Sequence, residues 1–241
     1  PGGSLSAIDA LVVLYLRHMR VRPQEPLWHE RDMFFLSKGH CTPAYYAVMA
    51  ARGYFPREEL LTFRALGTRL QGHPSNTHLP GVDSSSGSLG QGLSVANGAA
   101  LAARYEGLDS RYYVMIGDGE SQEGQICRIS MTAAAQGLDN VCAIVDVNGI
   151  QLDGTVESVK SLGDLPAKWR AFGWTVIDID GHDLRAVDDA LTEAARTKGV
   201  PTTIISRTVK GKGVSFMENT AKYHGLAPTD EELTTALEEL R

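Results

Sequence analysis

The sequence predicts an α/β fold in which helices cover both faces of a mostly parallel sheet. Short apolar runs rich in β-branched and aromatic residues alternate along the chain with segments of helical length. Within this pattern, 111–155 has the order strand, acidic glycine turn, helix and strand, which is a βαβ unit. With 241 residues and 43% hydrophobic composition, the chain can bury a sizeable core. We therefore expect a single domain over 1–241, with a C-terminal helical tail from about 214 to 241.

The predicted elements follow from periodicity, turn residues and helix caps. Ser4 or Ser6 is suited to cap the first helix, and Pro56 followed by glutamates is typical of a helix start. Thr229, followed by three acids, is suited to cap the last helix. In chain order we predict a helix at 7–19, a strand at 33–36, helices at 43–52, 56–64 and 93–104, a strand at 112–116, a helix after Glu123, a strand at 141–147, a helix at 162–172, a strand at 174–180, a helix at 184–197, a strand at 201–207 and a terminal helix from 229.

Composition and charge exclude several classes of protein. The formal net charge is −6 and the 23 Lys and Arg residues are scattered, so we expect no nucleic-acid binding. The longest apolar run, 10–16, is too short to cross a bilayer, and no basic segment leads into an apolar signal region. We therefore expect no membrane association and a cytoplasmic location. Because the three cysteines have neither paired nor CxxC spacing, we expect reduced thiols rather than disulfides or a zinc site.

Asp118 and Asn148 follow two neighbouring strands of the predicted βαβ unit. Asp118 lies in Gly117-Asp118-Gly119 after the first strand, and Asn148 follows the second. Because ligands bind at the carboxyl ends of parallel strands, we expect these two side chains at one site. Their oxygen atoms suit a hard dication such as Mg²⁺ or Ca²⁺, which can hold a diphosphate. Gly-Asp-Gly alone is a weak signal, and ordinary strand-end turn residues are the alternative interpretation.

Three histidines, His40, His73 and His224, lie in predicted loops beside glycine. A histidine in such a loop is more often a surface or packing residue, so the local sequence leaves a functional role and a structural role both open. The loop around His73, from 67 to 92, is long and dense in Gly, Ser, Pro and Asn. A loop of this length inside a compact chain is typical of a functional segment.

Charged groups near these loops also have two interpretations. Glu123 lies one turn into the helix that follows Asp118, where an acid can serve the helix dipole alone. Lys210 and Lys212 lie between glycines, where they can attract phosphate or belong to a solvated loop. The sequence does not decide between these possibilities.

Seven motifs along the chain occur in an order that resembles a known family. They are Pro1-Gly2-Gly3-Ser4-Leu5-Ser6, Leu36-Ser37-Lys38-Gly39-His40, Gly72-His73-Pro74, Gly87-Ser88-Leu89-Gly90-Gln91-Gly92, Gly117-Asp118-Gly119 with Glu123-Gly124, Asn148-Gly149-Ile150 with Asp153-Gly154, and His224-Gly225. Together they resemble the diphosphate-binding half of transketolase, of the kind encoded as a separate N-terminal subunit. The similarity covers nearly the whole sequence. It implies a diphosphate-binding domain that takes thiamine diphosphate through a divalent metal.

The resemblance gives roles at the cofactor to individual residues. It implies metal ligands at Asp118, Asn148 and the backbone oxygen of Ile150, with Mg²⁺ or Ca²⁺ as the metal. The 87–89 loop would lie along the aminopyrimidine and thiazolium rings of the cofactor. The full set of cofactor-binding residues that it implies is His40, Gly87, Leu89, Gly117, Asp118, Gly119, Asn148 and His224.

The resemblance also implies a catalytic set. His40 and His224 would hydrogen-bond the diphosphate or the reacting sugar, and His73 would face the substrate hydroxyls. Glu123 resembles the family glutamate at the interface between two active sites. We therefore expect His40, His73, His224 and Glu123 to take part in catalysis.

By the same resemblance, the protein is a transferase of carbohydrate metabolism that passes a two-carbon ketol unit from a ketose or ketose phosphate to an aldose or other aldehyde. In the family, a glutamate that activates the cofactor comes from a pyrimidine-binding domain, which no part of this sequence resembles. We therefore expect a partner chain that carries this C-terminal domain, a two-plus-two heterotetramer with active sites at its interfaces, and no activity from this chain alone. The alternatives are a thiamine diphosphate-dependent decarboxylating 2-oxoacid enzyme, a relative of deoxyxylulose-phosphate synthase, and a non-catalytic protein that retains the fold.

Several positions depart from the family pattern. The Gly-His that usually precedes Pro1 is not in the sequence, which begins at Pro1 rather than Met, so we expect residues upstream. Ser88 replaces a usual proline, Val147 replaces an acid or asparagine, and Arg128 replaces a second glutamate. Arg128 could pair with Glu123, because its charge is opposite. These changes favour a specialised biosynthetic role over the central pentose phosphate reaction.

Overall fold

The computed structural model describes residues 1–241 and contains a central sheet of five parallel strands. The strand order is β1-β2-β3-β7-β6, with a separate antiparallel pair formed by β4 and β5. The strands are β1 (Met33–Leu36), β2 (Tyr112–Gly117), β3 (Val141–Val147), β4 (Ile150–Gln151), β5 (Gly154–Thr155), β6 (Thr175–Asp180) and β7 (Thr202–Arg207). The predicted fold class is confirmed.

Helices pack on both faces of the sheet because the strands present apolar side chains to both sides. The helices are α1 (Gly2–Val13), α2 (Thr42–Arg52), α3 (Gly92–Glu106), α4 (Gly124–Ala135), α5 (Val156–Lys160), α6 (Leu165–Ala171), α7 (Leu184–Arg196) and α8 (Asp230–Glu239). In β2, Tyr113 and Met115 join the core under α1, α2 and α7, while Val114 and Ile116 join the core under α3, α4 and α6. An apolar strand with two buried faces is typical of a parallel sheet.

The first helix begins earlier than the sequence predicts. It starts at Gly2, has no side-chain cap, and continues into a π-helical turn over Leu14–His18, so Ser4 and Ser6 do not cap it. Glycine is a poor helix former, but a Cβ at Gly2 would lie 3.2 Å from the Lys210 side chain. Close packing against the Lys210 loop therefore outweighs the weak helix propensity of this segment.

Other helix boundaries differ in ways that affect the site. The predicted helix at 56–64 is a 3-10 helix over Arg57–Thr62. A 3-10 turn over Gly119–Gln122 precedes α4, so Glu123 lies at the N-cap of α4 rather than inside the helix. The predicted helix at 162–172 is shorter, since Asp164 caps α6 and stops it from starting at 162. Asp183 caps α7. The predicted cap at Thr229 is confirmed, and Thr229 forms a full capping box with Glu232.

The C-terminal segment packs against the N-terminal helix rather than extending away. Val214, Met217, Tyr223 and Ala236 form a small buried cluster, with Leu5 of α1 packed against it. This packing brings the turn that carries His224 over the carboxyl end of the sheet. No helix in the chain is both long enough and apolar enough to cross a membrane.

The parallel register gathers four strand ends at one edge of the sheet. Gly117, the last residue of β2, lies opposite Asp146 of β3, and Val147 of β3 lies opposite Arg207 of β7. The segments that follow β1, β2, β3 and β7 therefore emerge side by side, which is where ligands bind in open α/β sheets.

Candidate active site

A cavity of about 300 Å³ opens at this edge of the sheet. Its walls come from the segments after β1, β2, β3 and β7, together with the loop before α3 and the turn near the C-terminus. Every site residue predicted from the sequence except His73 lines it. These residues are His40, Gly87, Leu89, Gly117, Asp118, Gly119, Glu123, Asn148, Ile150 and His224.

Two backbone N–H groups hold the Asp118 carboxylate in place. Its Oδ1 accepts a hydrogen bond from Gly119 N at 2.7 Å, and its Oδ2 accepts one from Gly149 N at 2.6 Å. The side chain is buried, and burial raises the pKa of Asp118 above its usual value. A buried carboxylate with raised pKa favours a nearby cation, because a cation offsets the cost of keeping the charge away from water.

Asn148 and Ile150 add two neutral oxygens beside this carboxylate. Asn148 Oδ1 accepts from Ile150 N at 3.1 Å, and the Ile150 carbonyl accepts from Lys210 Nζ at 3.1 Å. One carboxylate, one amide oxygen and one backbone carbonyl form a donor set that suits Mg²⁺ or Ca²⁺. No group of three His, Cys, Asp or Glu side chains converges in the chain.

The glycines beside Asp118 leave room for a bulky anion. A Cβ at Gly119 would lie 3.0 Å from the Gln151 Cβ, whereas a Cβ at Gly117 would meet nothing closer than 3.9 Å. A side chain at 119 would therefore crowd Gln151 on the cavity wall, and glycine keeps that space open. Both the donor set and this glycine cradle fit a metal-bound diphosphate.

A buried ion pair at the cavity was not predicted from the sequence: Lys38 lines the cavity, and Asp146 lies behind it. Lys38 and Asp146 are 2% and 1% exposed, and their side chains are in direct contact. Burial alone would lower the pKa of Lys38, but the Asp146 carboxylate outweighs it and raises that pKa. Burial would likewise raise the pKa of Asp146, but the Lys38 ammonium holds it below its usual value. Both groups are therefore charged, and the negative charge of Asp146 balances the positive charge of Lys38.

Glu120 is a second buried acid that was not predicted from the sequence. Its carboxylate accepts hydrogen bonds from the Ser37 hydroxyl, from Gly90 N at 2.7 Å and from Gly117 N at 3.1 Å. Burial raises the pKa of Glu120. These bonds tie the 87–92 loop to the ends of β1 and β2, so Glu120 fixes the loop that carries Gly87 and Leu89.

His40 and His224 stack on one another at the side of the cavity. Their ring centroids are 4.7 Å apart, with an angle of 25° between the rings. Burial, with the nearby Lys38 ammonium, lowers the pKa of His40 to about 3. Burial, with the nearby Lys210 ammonium, lowers the pKa of His224 to about 4. Both rings are therefore neutral at pH 7.

The hydrogen bond from Lys210 fixes the tautomer of His224. Lys210 Nζ lies 2.9 Å from His224 Nδ1, and an ammonium can only donate, so Nδ1 accepts and Nε2 carries the proton. Lys210 is 1% exposed, and burial lowers its pKa to about 8, which leaves it mainly charged at pH 7. The sequence left open whether Lys210 and Lys212 attract phosphate or belong to a solvated loop. Lys210 lines the cavity, whereas Lys212 is exposed near Glu218.

His73 lies outside the main cavity but close to it. It borders a neighbouring cavity of about 360 Å³ that His40 and His224 also line. A Cβ at Gly39 would lie 3.1 Å from His73 Cδ2, so the glycine next to His40 lets the two loops approach. The structure thus brings the three predicted histidines to one region. By contrast, His18 and His182 pair with acids away from it.

The suggested pairing of Arg128 with Glu123 is wrong within this chain. Both side chains are exposed, and no salt bridge joins them. Glu123 is the extended N-cap residue of α4, and residues five apart do not face each other on a helix. Both residues are therefore left at the surface of α4.

These features match a known family. The family model described as "Transketolase, thiamine diphosphate binding domain" matches residues 1–240. The chain belongs to the transketolase family. Its match is to the thiamine diphosphate-binding domain of that family, which confirms the resemblance carried by the seven motifs and supports thiamine diphosphate as the cofactor.

Individual relatives are similar along nearly the whole chain. One is the 6-deoxy-6-sulfo-D-fructose transketolase subunit SqwG of Clostridium sp. (strain MSTE9), 45% identical over 99% of this chain and 87% of that protein. Another is an apulose-4-phosphate transketolase subunit of Phocaeicola vulgatus, 41% identical over 99% of this chain and 85% of that protein. The chain thus spans most of the length of these two relatives.

Solved transketolase structures share the fold but are much longer. Transketolase from Leishmania mexicana superposes with a TM-score of 0.88 at 30% identity, covering 100% of this chain and 41% of that chain. The Pichia stipitis enzyme in complex with sedoheptulose 7-phosphate gives a TM-score of 0.88 at 30% identity, covering 98% of this chain and 40% of that chain. This chain therefore spans less than half the length of those two enzymes.

We predict that His40 of the folded chain stays neutral down to about pH 3, the value to which its pKa is lowered. A histidine in the unfolded state binds a proton near pH 6.5. As the pH falls below this value, the unfolded state therefore binds a proton that the folded state does not bind. The stability contributed by neutral His40 is thus complete above about pH 6.5. It is lost as the pH falls toward about 3. Imidazole NMR should show no His40 titration between about pH 5 and 8.

The His40→Gln variant is the control for this prediction. The resonance missing from its spectrum is that of His40. Its free energy of unfolding, measured in urea, should fall less steeply than that of the wild type as the pH is lowered below about 6. A His40 resonance that titrates near pH 6.5 would contradict the neutral, buried ring.

Proposed function

We propose that this chain is the diphosphate-binding subunit of a thiamine diphosphate- and Mg²⁺-dependent transketolase-like enzyme. It passes a two-carbon ketol unit from a ketose or ketose phosphate to an aldose or another aldehyde. The observation that carries the proposal is that the oxygens of Asp118, Asn148 and Ile150 lie in one cavity with a buried ammonium and two neutral histidines. Family membership supports the same reaction class.

Within this proposal, Asp118, Asn148 and the Ile150 carbonyl bind Mg²⁺, and the diphosphate completes its coordination. When bound, thiamine diphosphate supplies the nucleophilic carbon and the electron sink that cleavage of a carbon–carbon bond requires. Gly119, whose N–H holds Asp118 Oδ1, would form part of the diphosphate site. Ca²⁺ would fit the same oxygen ligands.

Lys210 supplies the positive charge for this anion. Because Asp146 neutralises Lys38, Lys210 is the cavity ammonium that no carboxylate pairs with. Its contact with the Ile150 carbonyl places it next to the metal ligands, where it can attract the diphosphate. The Lys210 bond also leaves Nε2–H of His224 free to donate to a substrate or diphosphate oxygen. Neutral His40 beside it can accept or donate a proton.

A separate partner chain closes the site in this proposal. The mouths of the two cavities carry exposed leucines, Leu89, Leu152 and Leu226, which are 38%, 64% and 53% exposed. Exposed apolar side chains around a cavity favour a protein partner. The relatives named as subunits support a separate partner chain. That this partner binds the pyrimidine, that the assembly is two-plus-two and that it lies in the cytoplasm are further parts of the proposal. In such an assembly, His73 would face the substrate, and Glu123 would lie at the interface between two active sites.

The donor sugar in this proposal carries a terminal anion. One relative is named for a sulfonated fructose and another for a sugar phosphate. Arg64 lies on the wall of the cavity that the three histidines share, and no acid pairs with it. Its φ of 62° is in the left-handed region, which is uncommon for a residue other than glycine. Its unpaired guanidinium at the cavity wall makes Arg64 the group that binds the anion in this proposal.

We predict that Asp118→Ala abolishes Mg²⁺-dependent binding of thiamine diphosphate, because it removes the only charged metal ligand. Calorimetry on the chain mixed with its pyrimidine-binding partner should show binding for the wild type and at least a roughly 100-fold loss for Asp118→Ala. Asp189→Ala, at an exposed position of α7 that does not line the cavity, is the control and should bind normally. Unchanged affinity in Asp118→Ala would refute the ligand role.

The reaction class is tested on the same complex. Two-carbon transfer from a ketose donor, measured by the new ketose formed, supports the proposal. Cofactor binding with turnover of 2-oxoacids and none of ketoses would favour a decarboxylating enzyme instead. Binding of Mg²⁺ and thiamine diphosphate with no turnover of either donor class would favour a non-catalytic protein.

We predict that Arg64→Met raises the KM for sugar phosphate or sulfonate donors by roughly 10-fold to 100-fold, because a charge-assisted hydrogen bond is lost. The KM for an uncharged donor such as erythrulose should not change. Arg57→Met is a matched control, since Arg57 begins the neighbouring 3-10 segment and lines neither cavity. An equal rise in KM for charged and uncharged donors would contradict anion recognition by Arg64.

A further inference from the structure

Asp146 is a buried carboxylate at the end of β3, two positions before Asn148. Four side chains from four parts of the chain donate hydrogen bonds to it: Ser6 of α1, Lys38 after β1, Thr208 after β7 and Asn148 itself. Asp146 does not line the cavity. It therefore cannot touch a ligand there, and its effect on the site must pass through the residues that it holds.

The contact between Asp146 and Asn148 decides which way the Asn148 amide points. Asn148 Nδ2 lies 3.1 Å from Asp146 Oδ2 and 3.3 Å from Ser6 Oγ. A carboxylate can only accept hydrogen bonds, so the NH₂ end of the amide must face it. If the amide turned over, its oxygen would face the Asp146 carboxylate without a hydrogen atom between them.

The opposite end of the amide lies against the backbone of Ile150. Asn148 Oδ1 accepts a hydrogen bond from Ile150 N at 3.1 Å, and both residues line the cavity. An amide presents one oxygen and one nitrogen, and only the oxygen can bind a hard cation. The Asp146 carboxylate is itself held by Ser6, Lys38 and Thr208, so it offers Asn148 a fixed acceptor.

We propose that Asp146 is a positioning residue that fixes the Asn148 amide with its oxygen toward the metal site. The inference rests on the proposed metal-binding function of the cavity. Residues that orient a metal ligand through a hydrogen bond typically contribute roughly 10-fold to 100-fold to metal affinity. The Lys38–Asp146 pair thus has a role beyond its own charge balance.

The test separates the orientation of the amide from the charge of the ion pair by using two double variants. Lys38→Met with Asp146→Asn and Lys38→Met with Asp146→Leu both remove the buried pair, so neither leaves an isolated charge. An asparagine at 146 still offers an amide oxygen to Asn148 Nδ2, whereas a leucine offers none. Thermal unfolding of both variants shows whether each is folded under the conditions of the binding measurement.

Calorimetry with thiamine diphosphate, with and without Mg²⁺, is then run on each chain in complex with its pyrimidine-binding partner. Because both variants lack Lys38, which lines the cavity, the Asn variant is the reference, and we expect the Leu variant to bind roughly 10-fold to 100-fold more weakly than it in the presence of Mg²⁺. Equal affinity in the two folded variants would overturn the inference while leaving the proposed function standing. No Mg²⁺ dependence in the wild type would overturn the proposed function, and the inference with it.

Side-chain amide NMR of the wild-type chain alone gives a readout that requires neither ligand nor variant. The Asn148 NH₂ protons should exchange with solvent far more slowly than those of exposed Asn76, since Asp146 and Ser6 accept from Asn148. Slow exchange supports a fixed amide even where the Leu variant does not fold. Exchange at the Asn76 rate would overturn the inference.

Discussion

The ion pair between Lys38 and Asp146 is the interaction on which the site depends. It joins the segment after β1 to the end of β3 under the cavity floor, and Ser6 and Thr208 bind the same carboxylate. Burying two charges is costly unless they are paired and hydrogen-bonded, and here both conditions are met. Since Asp146 pairs with Lys38, the ammonium in the cavity that no carboxylate pairs with is that of Lys210, which lies beside the proposed metal ligands.

Much of the fold and the core of the site could be predicted from the sequence. Apolar runs such as the one in β3 have a strand length and bury both faces, and such strands occur in parallel sheets. Parallel strands end at one edge, so Asp118 and Asn148 were expected to lie together, and they do. Helix starts were less predictable: packing of Gly2 against Lys210 outweighs the local capping signals near the N-terminus.

The groups that the sequence did not reveal are those whose role depends on distant partners. Lys38 lies 108 positions from Asp146, and nothing next to it indicates that it is buried. Glu120 has the sequence context of an ordinary first-turn acid, yet it joins three segments from the interior. The pairing of Arg128 with Glu123 is the opposite case. Their opposite charges suggest a pair, but residues five positions apart do not face each other on a helix.

The central claim is that Asp118, Asn148 and the Ile150 carbonyl hold the metal of a thiamine diphosphate site. A crystal structure of the chain with its partner, thiamine diphosphate and Mn²⁺ in place of Mg²⁺ tests it most directly, because Mn²⁺ can be located by anomalous scattering. We predict one metal peak at roughly 2.1 Å from an oxygen of each of these three residues, with diphosphate oxygens among the other ligands of the metal. A metal bound to the diphosphate but to none of these three oxygens would contradict it.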